Sequence, residues 1–132
     1  MPPFPKPRFA YDYGARREIV ALRRYRDTEP GRQIPPRTDG RLLLATWNIA
    51  NLGVQHREDR DYQLIAELVS WFDLIAIQEV NDNLAGLLAI REHLPAHYRL
   101  LFSGAGGNDE RQAFFYDERR VAQLEEVGQL RR

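Results

Sequence analysis

Two polar side chains stand where apolar runs of the sequence end. Asn48 directly follows the run 42–47, and Glu79 lies two residues after the run 74–77. A charged acid next to a buried strand costs free energy unless it is solvated, paired or bound to a cation. A carboxylate and an amide together offer oxygen ligands for a hard cation and a donor for a phosphate oxygen. We therefore predict that Asn48 and Glu79 form a cation- and phosphate-binding site.

Structural roles for the same residues stay open at this point. Glu79 is also compatible with an acid at a helix N-terminus or with the partner of a nearby arginine. Asn48 is also compatible with an amide that satisfies backbone groups where a strand turns into a loop. We interpret the three histidines (His56, His93 and His97) as structural, because none has the spacing of a metal-binding or catalytic motif.

The elements that must position Asn48 and Glu79 follow from hydrophobic spacing. Runs 42–47 and 74–77 are apolar at nearly every position, which is typical of strands covered on both faces. Between them, one helix face is predicted from the i, i+3, i+4, i+7 spacing of Ile65, Leu68, Val69 and Phe72. Asp59 or Asp61 is expected to cap this helix. Such a unit places both strands parallel, with their C-terminal ends at one edge of the sheet.

The remaining sequence predicts one further helix and three further strands. The helix covers residues 83–94 and ends at Pro95. Its buried stripe is predicted to contain Leu84, Leu87, Leu88 and Leu94. Strands are predicted at 98–103, 112–116 and 121–127, with a loop at 103–109 and a turn at 117–120. This order predicts an α/β fold with a mixed β-sheet and flanking helices.

The first 40 residues have a different composition and are predicted to form an N-terminal extension. Residues 1–11 contain four prolines and should be extended or disordered, residues 14–27 should form a helix, and residues 28–40 should be a linker. The helix carries Arg16, Arg17, Arg23 and Arg24. These arginines indicate either a solvated helix face or a patch that contacts phosphates. Residues 41–132 are predicted to form the domain itself.

Composition limits the class of protein. The chain has 132 residues, 43% hydrophobic and 29% charged, with a formal net charge of +0. These values are typical of a globular domain without a general affinity for polyanions. The absence of cysteine excludes disulfides and thiolate metal sites. No apolar run is long enough to span a membrane and no signal peptide is recognised, so we expect a cytoplasmic protein.

Three stretches resemble the amino-terminal half of the endonuclease/exonuclease/phosphatase superfamily, which includes pancreatic-type deoxyribonucleases. They are ATWNIANLG (45–53), DLIAIQEV (73–80) and ERQAFFYD (110–117). The resemblance implies about half of a four-layer α/β sandwich. It also implies that Glu79 binds Mg²⁺ (or Mn²⁺ or Ca²⁺), that Asn48 helps to hold metal and phosphate, and that Glu110 orients a catalytic histidine.

The implied reaction is metal-dependent hydrolysis of phosphodiester bonds, with nucleic acid as the expected substrate. A phosphatase or sphingomyelinase of the same superfamily is an alternative, and a non-catalytic binding module is another. The superfamily's catalytic histidine, Asp-x-Asn and Ser-Asp-His motifs have no counterpart after Glu110. We therefore expect this fragment alone to be inactive, with one sheet face left uncovered and prone to self-association.

Overall fold

A computed structural model describes residues 12–28, 34–49, 57–80, 84–102 and 111–123, except for the side chains of Glu79, Val80 and Arg111. The described residues form three helices and four strands. In chain order they are α1 (Ala15–Thr28), β1 (Leu44–Trp47), α2 (Asp59–Val69), β2 (Leu74–Val80), α3 (Ala85–His93), β3 (Tyr98–Phe102) and β4 (Arg111–Asp117). This element order confirms the α/β class.

The strands form one mixed sheet in the order β1-β2-β4-β3. β1 and β2 are parallel, with Leu44 opposite Leu74 and Trp47 opposite Ile77. β4 is antiparallel to both of its neighbours, β2 and β3. The parallel pair joined through α2 is the strand–helix–strand unit that the sequence predicts.

The core lies on the sheet face that α2 and α3 cover. Its buried side chains come from both helices and from alternate positions of the strands: Ile65, Ala66, Val69, Leu87, Ile90, Leu94, Ile75, Ile77, Ala113, Phe115 and Tyr98. Each of the central strands β2 and β4 therefore sends every second side chain to this face, as the pleat of a strand requires.

Two details of the predicted helix faces are wrong. Leu88 is 42% exposed, whereas Ile90 is fully buried. The buried stripe of α3 follows positions 87, 90 and 94, so its neighbour at 88 turns toward solvent. Phe72 lies beyond the end of α2 and reaches the core, half-buried, from the following turn.

The start of α2 also differs from the expectation that Asp59 or Asp61 caps it. The N-cap residue is Glu58, and Asp61 occupies the third helical position. The Asp61 carboxylate accepts a 2.8 Å hydrogen bond from the backbone N–H of Glu58. This reciprocal arrangement satisfies a backbone donor that the first turn of a helix leaves unpaired.

The opposite sheet face is apolar and carries none of the described helices. Leu44 is 63% exposed there, and Leu74, Leu101, Phe114 and Tyr116 are half-buried. Residues 121–123 line a shallow pocket on this face together with the four half-buried side chains. They are not a strand, which corrects the prediction for 121–127 over these three residues. Residues 124–127 and the predicted loop 103–109 lie outside the described residues.

Helix α1 packs on α2 and runs parallel to it. The Tyr13 hydroxyl donates to Asp61 at the start of α2. At the other end, the Arg26 guanidinium lies 4.8 Å from the centre of the Trp71 ring. The helix confirms the prediction for 14–27, but the proline-rich tail 1–11 lies outside the described residues. None of the described helices is long and apolar enough to cross a membrane.

Candidate functional site

The C-terminal ends of β1 and β2 lie at the same edge of the sheet. Since Trp47 pairs with Ile77 in parallel register, Asn48 leaves β1 at the level of Gln78, and Glu79 follows one residue later. Asn48 is exposed there. The backbone positions of Asn48 and Glu79 are therefore adjacent, as the predicted site requires. Their roles in binding stay predictions.

A register shift in β2 falls on this edge. Ile77 pairs with Ala113 and Val80 pairs with Arg111. Three steps along β2 thus match two steps along β4, so that one extra residue of β2, within Gln78–Glu79, is accommodated as a β-bulge. Bulges are enriched next to active sites, where they redirect a side chain and end strand pairing.

The other residues predicted for this site fall outside what is described. Glu110 precedes β4 and is outside the described residues, as is His56. Among the side chains that the structure describes, no group of three or more His, Asp, Glu or Cys residues could hold a metal ion.

A second polar centre, which the sequence did not predict, lies at the opposite edge of the sheet. Asp73, directly before β2, and Asp117, at the end of β4, are both fully buried. One nitrogen of Arg37 lies 2.6 Å from a carboxylate oxygen of each. Arg119, Arg120 and His97 complete this group, which we call the buried ion cluster. It joins residue 37 to two strands that are distant in sequence.

Each buried carboxylate of the cluster has several partners. Asp73 accepts a 2.7 Å hydrogen bond from the backbone N–H of Leu43, and Nε of Arg120 lies 2.6 Å from it. Asp117 accepts hydrogen bonds from the backbone and side chain of Arg119. Such multiple pairing is what makes a buried charge tolerable.

Electrostatics hold Asp117 in its ionised form. Burial acts to raise its pKa, but hydrogen bonds from Arg119 and Arg37 and the charge of His97 outweigh burial. The pKa of Asp117 is therefore held far below its ordinary value. Nδ1 of His97 lies 3.1 Å from this carboxylate. This pair lies about 16 Å along the strands from the Asn48–Glu79 edge and belongs to the buried ion cluster, so His97 has a structural role.

The remaining histidine of the described chain also pairs with an acid. Nε2 of His93 lies 2.8 Å from Asp59, at the start of α2. Both contacts agree with the interpretation of His93 and His97 as structural residues. In the sequence, Asp73 and Asp117 stand beside apolar runs just as Glu79 does. That position was the one signal of these two residues available before the structure. Arg37 lies in a proline-rich stretch that gave no comparable signal.

The arginines predicted to share one face of α1 have different environments. Arg23 forms a bidentate ion pair with Glu67 of α2, with hydrogen bonds of 2.7 and 3.0 Å. Glu67 also accepts a hydrogen bond from Trp71. Burial acts to raise the pKa of Glu67, but the hydrogen bonds from Arg23 and Trp71 lower it. Arg23 is therefore part of the contact between α1 and α2. Arg16, Arg17 and Arg24 are exposed.

Comparison with known proteins gives one informative similarity. The chain is 37% identical over 94 residues to a curated protein named Deoxyribonuclease from Thioalkalivibrio sp. (strain K90mix). The aligned part covers 66% of this chain and 24% of that protein, so the chain spans about a quarter of the length of the curated relative it matches. No family model matches the chain. No solved structure matches it. The similarity indicates a nuclease-like relationship.

Proposed function

We propose that this chain carries the metal-binding edge of a protein that hydrolyses phosphodiester bonds in nucleic acid. The observation that carries the proposal is the β-bulge at Gln78–Glu79, at the edge where Asn48 follows the end of β1. Ligands of α/β sheets bind outside the C-terminal ends of parallel strands. The name of the relative from Thioalkalivibrio, Deoxyribonuclease, favours nucleic acid over a lipid or an inositol phosphate.

The chemistry of the donors at this edge fits a hard divalent cation. Glu79 offers a carboxylate and Asn48 an amide oxygen, and Mg²⁺ is commonly held by one or two carboxylates with water and substrate phosphates. When bound, the ion would polarise a phosphoryl oxygen and stabilise the charge that develops on it. Asn48 would also donate an amide N–H to a phosphate oxygen. Glu110 is proposed to orient a general base.

We further propose that the 132 residues bind metal and nucleic acid without rapid turnover. The three stretches that resemble the nuclease superfamily include no counterpart of its catalytic histidine. General acid–base catalysis typically contributes about 10²–10⁴-fold to a rate. Rapid Mg²⁺-dependent nicking of plasmid by the chain, abolished in Glu79→Gln, would refute this part of the proposal.

Metal binding is tested by titrating Mn²⁺ and measuring the free ion by electron paramagnetic resonance. The wild type is compared with Glu79→Gln and with Glu92→Gln. Glu92 is an exposed acid of α3, so its variant makes the same change of charge away from the edge. We expect Glu79→Gln to lose the tightest Mn²⁺ site and Glu92→Gln to retain it. Equal Mn²⁺ affinity in the wild type and Glu79→Gln would contradict the proposed role of Glu79.

Phosphate binding at the same edge is tested by thermodynamic linkage. If metal and phosphate share the site, Ca²⁺ should strengthen binding of a short single-stranded oligonucleotide, and the oligonucleotide should strengthen Ca²⁺ binding by the same factor. The gain in oligonucleotide affinity caused by Ca²⁺ should disappear in Glu79→Gln and become smaller in Asn48→Ala. Oligonucleotide affinity that does not depend on Ca²⁺ would argue for a binding module without a metal centre.

A further inference from the structure

The described arginines divide into a paired group and an unpaired group. Seven of them lie within ion-pair distance of a carboxylate: Arg23, Arg26, Arg37, Arg60, Arg99, Arg119 and Arg120. By contrast, Arg16, Arg17, Arg24, Arg41 and Arg91 are exposed and form no ion pair with any described residue. Three of these five, Arg16, Arg17 and Arg24, lie on α1. Their charges are therefore available to an external anion.

The geometry of α1 places Arg17 and Arg24 on the side away from α2. Arg23 contacts α2 directly, while Tyr13, just before α1, bonds Asp61 and Arg26 lies over Trp71, just beyond α2. Arg17 and Arg24 are seven residues apart, which is two helical turns, so they share one face at a separation of about 10 Å. Arg16 lies seven residues before Arg23 and therefore on the side of the helix that carries Arg23, although its side chain is exposed. We call Arg17 and Arg24 the α1 basic face.

The α1 basic face extends toward the candidate functional edge. The C-terminus of α2 lies at the start of β2, because only four residues separate Val69 from Leu74. The 11-residue helix α2 is about 16 Å long, so its start lies toward the opposite edge, where β1 and β2 end. Since α1 is parallel to α2, Arg16 and Arg17 lie at the end of α1 nearer that edge.

We propose that the α1 basic face binds the phosphate backbone of the nucleic acid on which the candidate site acts. The proposal rests on the function proposed above and adds a second contact surface to it. Arginine side chains match phosphate in charge and hydrogen-bonding geometry. A membrane is the poorer partner, because the half-buried Ile19 and Leu22 lie on the side of α1 that carries Arg26, whose guanidinium contacts Trp71. The net charge of +0 means that the attraction is local to this face.

The test is the salt dependence of DNA affinity, measured on the whole chain by fluorescence anisotropy with a labelled 20-base-pair duplex. EDTA is present throughout, so that metal binding does not contribute. The double variant Arg17→Gln/Arg24→Gln is compared with Arg41→Gln/Arg91→Gln. The control arginines are also exposed and form no ion pair with a described residue, so both variants lose the same charge.

Each phosphate neutralised contributes about −0.9 to the slope of log affinity against log salt concentration. We expect the slope to fall in magnitude by about 1.8 in Arg17→Gln/Arg24→Gln and to stay unchanged in the control variant. Equal slopes in the two double variants would overturn the proposal. The proposal would also be overturned if polyglutamate bound more tightly than duplex DNA and lost its affinity in Arg17→Gln/Arg24→Gln.

The outcome is separable from that of the metal proposal. If Arg17→Gln/Arg24→Gln leaves the slope unchanged while Mn²⁺ binding is intact, DNA binding by the α1 basic face is refuted and the proposed metal site still stands. If the slope falls as expected but Glu79→Gln leaves Mn²⁺ affinity unaltered, metal binding by Glu79 is refuted and DNA binding by the α1 basic face still stands.

Discussion

Arg37 offers the sharpest test of how the fold is held together. Its guanidinium lies 2.6 Å from both Asp73 and Asp117, and it donates to the Tyr98 hydroxyl at 3.0 Å. The two carboxylates are fully buried, and the Arg37 side chain is 25% exposed. We predict that Arg37→Met, which keeps an unbranched apolar stem but removes the charged guanidinium, strongly destabilises the fold.

The expected magnitude follows from the partners that each carboxylate keeps. Removing one partner of a buried ion pair typically costs about 3–5 kcal/mol, because the other charge is left uncompensated. In Arg37→Met, Asp73 still faces Arg120, and Asp117 still faces Arg119. We therefore expect a loss at the lower end, about 3 kcal/mol. Domains of ordinary stability have only about 5–15 kcal/mol in total.

The assay is equilibrium unfolding in urea, followed by tryptophan fluorescence. Arg119→Met is the matched control, since Arg119 also binds Asp117 but its side chain is 60% exposed. Although Arg119 contributes more than Arg37 to the low pKa of Asp117, water can replace an exposed partner, and we expect a much smaller loss than in Arg37→Met. An Arg37→Met variant within about 0.5 kcal/mol of the wild type, or less destabilised than Arg119→Met, would refute this reasoning.

Two further predictions concern acid and packing. The folded-state pKa of Asp117 is depressed from 3.8, so its stabilising contribution is complete above that value and declines as the pH falls below it. The urea midpoint of the wild type should fall on acidification, and that of Asp117→Asn should fall less. An equal fall in the two proteins would contradict this. Leu87→Ala should cost about 2–5 kcal/mol because the side chain is fully buried, whereas Leu88→Ala should cost under about 1 kcal/mol at its exposed site. Equal shifts in thermal melting would exclude this assignment of the α3 face.

Local sequence patterns determined most of the secondary structure. The apolar runs that end near Asn48 and Glu79 are the strands β1 and β2, and the 3.6-residue spacing around Ile65 is the helix α2. These patterns suffice because each element must bury one face, and burial fixes the spacing of apolar residues along the chain. Parallel pairing then follows from the connection, since a helix between two strands returns the chain to the same end of the sheet.

The sequence was less able to specify which of two neighbouring side chains is buried. The leucines at 87 and 88 are identical in type, and only the position of α3 on the sheet decides that Leu87 is inside and Leu88 outside. The β-bulge at Gln78–Glu79 is a similar case, because it depends on the register of β4 against β2. Neither feature leaves a distinct local signature in the chain.

The sequence by itself determined the strand–helix–strand unit and the adjacency of Asn48 and Glu79 at one sheet edge. Only the tertiary structure decided that the opposite edge holds Arg37 between Asp73 and Asp117, at separations of 36 and 80 residues. The physical reason is the range of the interactions. Hydrophobic periodicity is set by neighbours within a few residues, whereas a buried charge takes its partners from whichever side chains the fold brings within hydrogen-bonding distance.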